Sequence, residues 1–278
     1  MRLRVVIENH SDTESLLYEY GLSFYVKSGE NAFLLDCGAS DKLLHNLAAM
    51  GIDSEGLSHI VISHNHGDHI GGLGPLLAVN SQAGVYVAEG ARRKLYTKRF
   101  LSRRRQVSRN DLLAEHADRI TYIEGSYRLF DNVYLCTVAS ADSGFCCRDR
   151  RLRMMDGRGH LLPDDFSHEL YVAVIEEGHM HILSSCSHKG IVNILADAAE
   201  RFPDVPIESF FGGLHFKGTR ARLNCSPAFV IETAEAINRT ELKRIYTCHC
   251  TGKYAFDLLR EHLSAKIRYL KTGSTLEV

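Results

Sequence analysis

The sequence predicts a mixed α/β protein, two sheets packed together with helices outside in an αββα sandwich. β-rich runs occur in both halves of the chain, helical runs alternate with them, and no repeat or low-complexity linker interrupts the alternation. One domain over residues 1–278 is expected, with a basic elaboration at about 92–165.

The opening third supplies strands and then a helix. Arg2 to Glu8, Leu22 to Lys27 and Ala32 to Leu35 are β-rich, and the turn residues Ser28-Gly29-Glu30 separate the last two. Leu43, Leu44, Leu47 and Met50 follow helical spacing and stop at Gly51. Ser58 to Ser63 (SHIVIS) is a short apolar run of the kind buried on both faces, and it delivers the chain into HNHGDHIGGL.

After a strand at Gly84 to Glu89 the composition turns basic. Arg92, Arg93, Lys94, Lys98, Arg99, Arg103, Arg104, Arg105 and Arg109 occur without an acidic residue among them, and a second patch follows at Arg148, Arg150, Arg151 and Arg153. Ile120 to Ile123 and Val133 to Val138 read as strands within this region. The last part alternates regularly: strands Leu170 to Ile175 and Met180 to Ser184, helix Ile191 to Arg201, strand Ile207 to Phe211, helix Pro227 to Ile237, strand Arg244 to Cys248, helix Tyr254 to Leu263.

Charge is nearly balanced, 33 basic against 34 acidic residues, which argues against a generally basic nucleic-acid binder. The apolar run Val5-Val6-Ile7 near the start is too short for a signal peptide or a membrane span, so a cytoplasmic protein is expected. Scattered cysteines fit a reduced compartment better than a disulfide framework.

His64-Asn65-His66-Gly67-Asp68-His69 puts three imidazoles and a carboxylate within six residues. Such nitrogen and oxygen donors suit zinc, manganese or iron. A catalytic site needs further ligands from distant segments, and three strand ends offer them: Cys186-Ser187-His188, Gly212-Gly213-Leu214-His215 and Cys248-His249-Cys250. Cys186 is a thiolate ligand or an inert buried thiol, His188 and His249 directly follow apolar strands, and His215 is a ligand or a substrate contact.

The HxHxDH run resembles the signature of the metallo-β-lactamase superfamily. Further stretches resemble its branch of 7,8-dihydropterin-6-yl-methyl-4-(β-D-ribofuranosyl)aminobenzene 5'-phosphate synthase-like proteins: Glu8-Asn9, Glu19 to Ser23, Leu35 to Gly38, His64 to Leu73, Cys186 to Asn193, Gly212 to His215 and His249 to Gly252. The resemblance implies an αββα fold and two divalent metal ions, zinc first and manganese or iron otherwise. It places His64 and His66 on one ion and Asp68 and His69 on the other. Cys186 falls where many relatives carry a bridging carboxylate, and His249 where they carry the last histidine. His188 is the chosen completion of the first ion, with His168 and His215 as alternatives. Cys37 replaces a threonine common in the family, which should alter local hydrogen bonding rather than chemistry.

Two ions so placed would supply a bridging hydroxide held by Asp68, and His215 or His188, whichever is not a ligand, would protonate the leaving group. The arginines suggest a small anionic substrate, probed first as a phosphorylated ester, or else a solvated face. A nuclease using the basic segment as an electrostatic track, or a transferase in pterin biosynthesis, are the alternatives. No membrane partner is expected.

Overall fold

The computed structural model describes residues 1–98, 104–142, 144–217 and 223–278, so Arg99 and Arg103 of the basic run lie outside the described residues. The chain divides into two compact units: Met1–Glu124 with Asp149–Leu170 and Lys271–Val278, and Gly125–Arg148 with Tyr171–Leu270.

The first unit is built on a seven-stranded sheet in the spatial order Thr275–Glu277, Arg2–Ile7, Ser23–Ser28, Asn31–Leu35, His59–Ile62, Gly84–Ala88 and Ile120–Ile123. The early strands pair antiparallel, as the Gly29 turn dictates, and from Asn31–Leu35 onward the strands run parallel. Parallel strands need a covered face, and here the helices Lys42–Ala49 and Leu73–Val79 cover it. Leu43 and Leu47, four residues apart, and Leu73, Leu76 and Leu77 pack on Ile60, Ile62, Val85 and Val87. Each such buried side chain contributes about 1.5–3 kcal/mol. Asn46 shares the buried helix face without cost, because its amide donates to the carbonyls of Val6 and Leu17.

A four-stranded antiparallel sheet, in the order Leu161–Pro163, Leu152–Met155, Leu95–Lys98, Arg104–Gln106, also belongs to this unit. It accounts for much of the basic segment. The other strands between residues 92 and 165 join the larger sheets: Ile120–Ile123 in the first unit, Ser126–Phe130 and Val133–Cys136 in the second.

The second unit has its own seven-stranded sheet, ordered Lys266–Tyr269, Arg244–Thr247, Ile207–Gly212, His179–Leu183, Tyr171–Glu176, Val133–Cys136, Ser126–Phe130. From His179–Leu183 to Lys266–Tyr269 the strands are parallel. Helices Ile191–Arg201, Pro227–Ile237 and Lys253–His262 connect them, burying Ile194, Val230, Ala234 and Leu259 with Ile182, Phe210 and Ile245. Helix Pro227–Ile237 starts where its sequence says it should. Ser226 Oγ accepts from the Phe229 N–H, and proline occupies the first turn, where no donor is needed.

In both units the loops leaving the C-terminal ends of parallel strands carry the residues of interest, the position at which open α/β sheets build sites. No helix among the described residues is long and apolar enough to cross a membrane.

Candidate metal centre

In the first unit the strand His59–Ile62 ends one residue before Ser63-His64, and its parallel neighbour Asn31–Leu35 ends directly before Asp36. The register Leu34 to Ile60 and Leu35 to Val61 therefore sets Asp36 beside the histidine loop. The Asp36 carboxylate accepts from the Ser63 N–H at 2.7 Å, from the Ser63 hydroxyl at 2.7 Å and from His69 Nδ1 at 2.7 Å. Since the Ser63 proton goes to Asp36, Ser63 Oγ can only accept from His64 Nδ1, 2.8 Å away. Both rings thus spend Nδ1–H internally and present Nε2 as a lone-pair donor, the arrangement that orients metal-ligating histidines.

The rest of the loop follows from its sequence. Asn65 turns away from the histidines, donating to the Ala91 carbonyl and accepting from the Arg109 N–H, so His64 and His66 share the opposite side. The ring centroids of His64 lie 4.6 Å from His66 and 4.1 Å from His69. Asp68 is partly exposed, its carboxylate 3.7 Å from His69 Nε2. Burial first, and then the neighbouring His168, lower the pKa of His66 to about 3, so the ring is neutral and able to ligate. Gly71 and Gly72 let the loop Cys37 to Ser40 press against this turn: a Cβ on Gly71 would lie 2.6 Å from the carbonyl oxygen of Gly67 and overlap Ala39.

His168 lies on the same side of the unit. Donor atoms of His66, Asp164 and His168 fall within 4.8 Å of one another, and His168 Nε2 is 3.2 Å from Asp164 Oδ2, with both side chains buried. Burial opposes ionisation of Asp164, but His168, His66 and the Phe166 N–H together outweigh it and hold the carboxyl below its usual range. Cys37 is wholly buried, which pushes its thiol pKa well up, and it is chemically inert.

In the second unit the ends of three parallel strands converge. Cys186 and His188 follow His179–Leu183, His215 follows Ile207–Gly212, and His249 lies on the turn after Arg244–Thr247. All four are buried or nearly so. Ser187, His215 and His249 adopt φ of 53°, 46° and 50°, left-handed values that non-glycine residues hold only when their surroundings enforce them. The rings of His188 and His215 are 4.2 Å apart. His215 does not stand alone among nitrogens: one group within 4.8 Å joins it to Cys147 and His188, another to Cys186 and Cys250.

Part of the basic segment is neutralised by carboxylates. Arg92 pairs with Glu89 and stacks over Tyr122, Arg93 reaches Asp165, Arg109 reaches Asp111 and Arg151 reaches Asp149. Arg148 lies over the Phe229 ring. Among the described residues of the segment, Arg104 and Arg105 are exposed on a strand without a carboxylate partner.

Sequence reasoning placed the histidines but not the roles of Asp36, Ser63 and Asp164. Asp36 carried a readable signal, an acidic residue at the end of an apolar strand just before Cys-Gly. Asp164 had none.

A family model described as Metallo-beta-lactamase superfamily matches residues 18–176. The chain is 21% identical over 276 residues, 93% of its length and 90% of the relative's, to the 7,8-dihydropterin-6-methyl-4-(beta-D-ribofuranosyl)-aminobenzene-5'-phosphate synthase of Methanocaldococcus jannaschii. It is 47% identical to Ribonuclease Z of Mycobacterium sp. (strain KMS) over 57 residues, which span 20% of the chain and 19% of that enzyme. Among solved structures, Tm1679, a metal-dependent hydrolase of the beta-lactamase superfamily, superposes with a TM-score of 0.79 at 27% identity, covering 100% of this chain and 99% of the other. The fold class expected from the strand and helix pattern is the one shared with that structure.

Proposed function

Because the chain belongs to the metallo-β-lactamase superfamily, we propose that it is a metal-dependent hydrolase acting on a small anionic ester, with phosphoesters the leading class. The observation that carries this reading is the buried network in which Asp36 and Ser63 commit Nδ1 of His69 and His64 to internal hydrogen bonds. A histidine kept for packing alone needs no such fixed tautomer; a ligand does. With a neutral His66 and the Asp68 carboxylate, the first unit presents a nitrogen and oxygen donor set that fits zinc, manganese or iron.

The ligands that the family resemblance implies for two divalent ions would be His64, His66, Asp68 and His69, with Cys186, His188 and His249. Such ions would supply Lewis acidity, to ionise water near neutral pH and polarise the oxygen of the leaving group. The chain's own residues do the positioning. Asp36 and Ser63 hold two rings in one tautomer, Asp68 would hold the attacking water, and the Asp164–His168 pair lies beside His66.

A phosphorylated substrate is supported by the similarity, along nearly the whole chain, to a synthase whose named product carries a 5'-phosphate. The same similarity favours a second reading, in which this constellation serves a synthase reaction on a pterin-linked phosphoribosyl compound. Carboxylate pairing of Arg92, Arg93, Arg109 and Arg151 takes part of the basic run out of any track for nucleic acid.

The test is a screen of the metal-loaded protein against phosphomonoesters, phosphodiesters, lactones and thioesters. Hydrolysis within one class, lost on chelation and in His66→Ala, supports the hydrolase. Inertness toward all four classes with metal bound removes it and leaves the synthase. Cleavage of single-stranded nucleic acid that weakens steeply with salt moves the assignment to a nuclease.

A further inference from the structure

Several cations of the basic segment have no role in the proposed hydrolytic centre, and the small sheet gathers them on one face. Its register sets Lys98 opposite Arg104, and Tyr96 opposite both Gln106 and Arg153. Residues directly opposite in an antiparallel pair share a face, as do residues two apart along a strand. Lys98, Arg104 and Arg153 therefore stand together around Tyr96. Lys94, two residues before Tyr96 and joined through its carbonyl to the Met155 N–H at 2.9 Å, extends the same face. Arg105 pairs with Thr97 and so belongs to the other face.

These cations lack acidic partners because the carboxylates near them in sequence are taken. Asp149 is held by Arg151, Asp156 by His160, Asp164 by His168 and Asp165 by Arg93. Among the described residues, Lys94, Lys98, Arg104 and Arg153 form no ion pair, and the first three are exposed. Lys98 directly opposite Arg104 is a like-charge pair, which destabilises an antiparallel sheet until an anion sits against it. The chain as a whole is close to neutral, so this field is local to the face.

We propose that this face of the small sheet docks single-stranded nucleic acid, with successive phosphates on Lys94, Lys98, Arg104 and Arg153. The cations stand about 5 Å apart across the strands and about 7 Å apart along them, an array that a linear polyanion neutralises charge by charge while counterions are released. Arg104 favours nucleic acid over an acidic peptide. Its guanidinium lies over the Tyr96 ring, 5.3 Å from the centroid, and the residue is exposed, so its outer plane is a platform for an unstacked base. A carboxylate side chain has no ring to lay on it. The small sheet is also tied to the histidine loop of the same unit: the Gly67 N–H donates to the Val107 carbonyl at 2.9 Å, and the Arg109 N–H to Asn65 Oδ1 at 2.9 Å. The proposal concerns binding rather than cleavage, and it stands whether or not the metal centre hydrolyses an ester.

The experiment is fluorescence anisotropy of a labelled oligouridylate titrated with the full-length chain, wild type and His66→Ala side by side, between about 50 and 200 mM salt. With about four phosphates neutralised, log affinity should fall against log salt with a slope of roughly −3, about 50-fold across that range, and equally in both chains. Arg104→Gln and Arg153→Gln should each reduce the steepness by about 0.7. Arg105→Gln, on the same strand but the opposite face, should leave it unchanged. Arg104→Lys should keep the slope yet weaken binding about fivefold or more at every salt concentration, because the charge remains and the stacking plane is gone. No measurable binding, equal effects of Arg105→Gln and Arg104→Gln, or tighter binding of labelled polyglutamate than of oligouridylate overturns the proposal. Hydrolysis retained in His66→Ala would count against the proposed function and leave these binding curves untouched.

Discussion

Asp36 Oδ2 lies 2.7 Å from His69 Nδ1, with both side chains fully buried, so a single carboxylate decides which nitrogen of that ring faces outward. The same carboxylate takes the Ser63 proton and so settles the tautomer of His64. Asp36→Asn replaces an acceptor-only group by one that donates on one side and should lower metal affinity about 10- to 100-fold. Competition with a chelator of known affinity measures this, and unchanged affinity would show that the network is not orienting ligands.

Gly71 is expected to tolerate no side chain. A Cβ there meets the backbone of Ala39 and Gly67, which cannot rotate away as a side chain can, so Gly71→Ala should destabilise the fold by about 1–3 kcal/mol and loosen metal binding with it. Gly157, with nothing within 4 Å of its hypothetical Cβ, is the control. Its alanine variant should change stability by about 0.5 kcal/mol or less in urea denaturation.

Asp197 ties the second unit together. It accepts from the Tyr171 hydroxyl at 2.7 Å, from Arg201 Nε at 2.6 Å and from the Ala139 N–H at 3.0 Å. Burial works against the charged form, but these donors, Arg201 foremost, hold the carboxyl below its usual range. Asp197→Ala strands a buried hydroxyl and a guanidinium, and should cost about 2–4 kcal/mol by equilibrium urea unfolding. A loss below about 0.5 kcal/mol would mean that water replaces the carboxylate without penalty.

His181 predicts an acid sensitivity. Burial lowers its pKa to about 4, and Nδ1 has no hydrogen-bond partner among the described residues. In the unfolded chain the ring protonates around pH 6.5, whereas in the folded chain it resists until about pH 4, so between these values the unfolded state binds more protons. The contribution is whole above pH 6.5 and is lost as pH falls toward 4. The urea midpoint of the wild type should drop more steeply across that window than that of His181→Leu; parallel curves would remove His181 as the cause.

Local patterns were legible in the sequence and long-range pairings were not. The HNHGDH loop and the apolar run before it announced both a strand end and a donor cluster, and Cys186, His188 and His249 were readable because each follows an apolar strand. The role of Asp36 depends on the parallel register of Leu34 with Ile60 and Leu35 with Val61, which nothing local specifies. The basic run from Arg92 to Arg109 holds no acidic residue itself; Glu89 and Asp111 flank it closely in sequence and Asp149 lies within the second patch, whereas the pairing of Arg93 with Asp165 spans a distance that no local pattern specifies. The thiol cluster around His215 escaped for the same reason: Cys147 lies far along the chain from Cys186, His215 and Cys250, and only folding brings the sulfurs to one ring.

The most direct measurement of the central claim is metal content and ester hydrolysis determined together on the purified wild type and His66→Ala. The account predicts that the wild type carries bound divalent metal and hydrolyses at least one ester class, and that His66→Ala loses metal and activity together. Full hydrolytic activity in metal-free protein, or in a His66→Ala chain that has lost its metal, would contradict it.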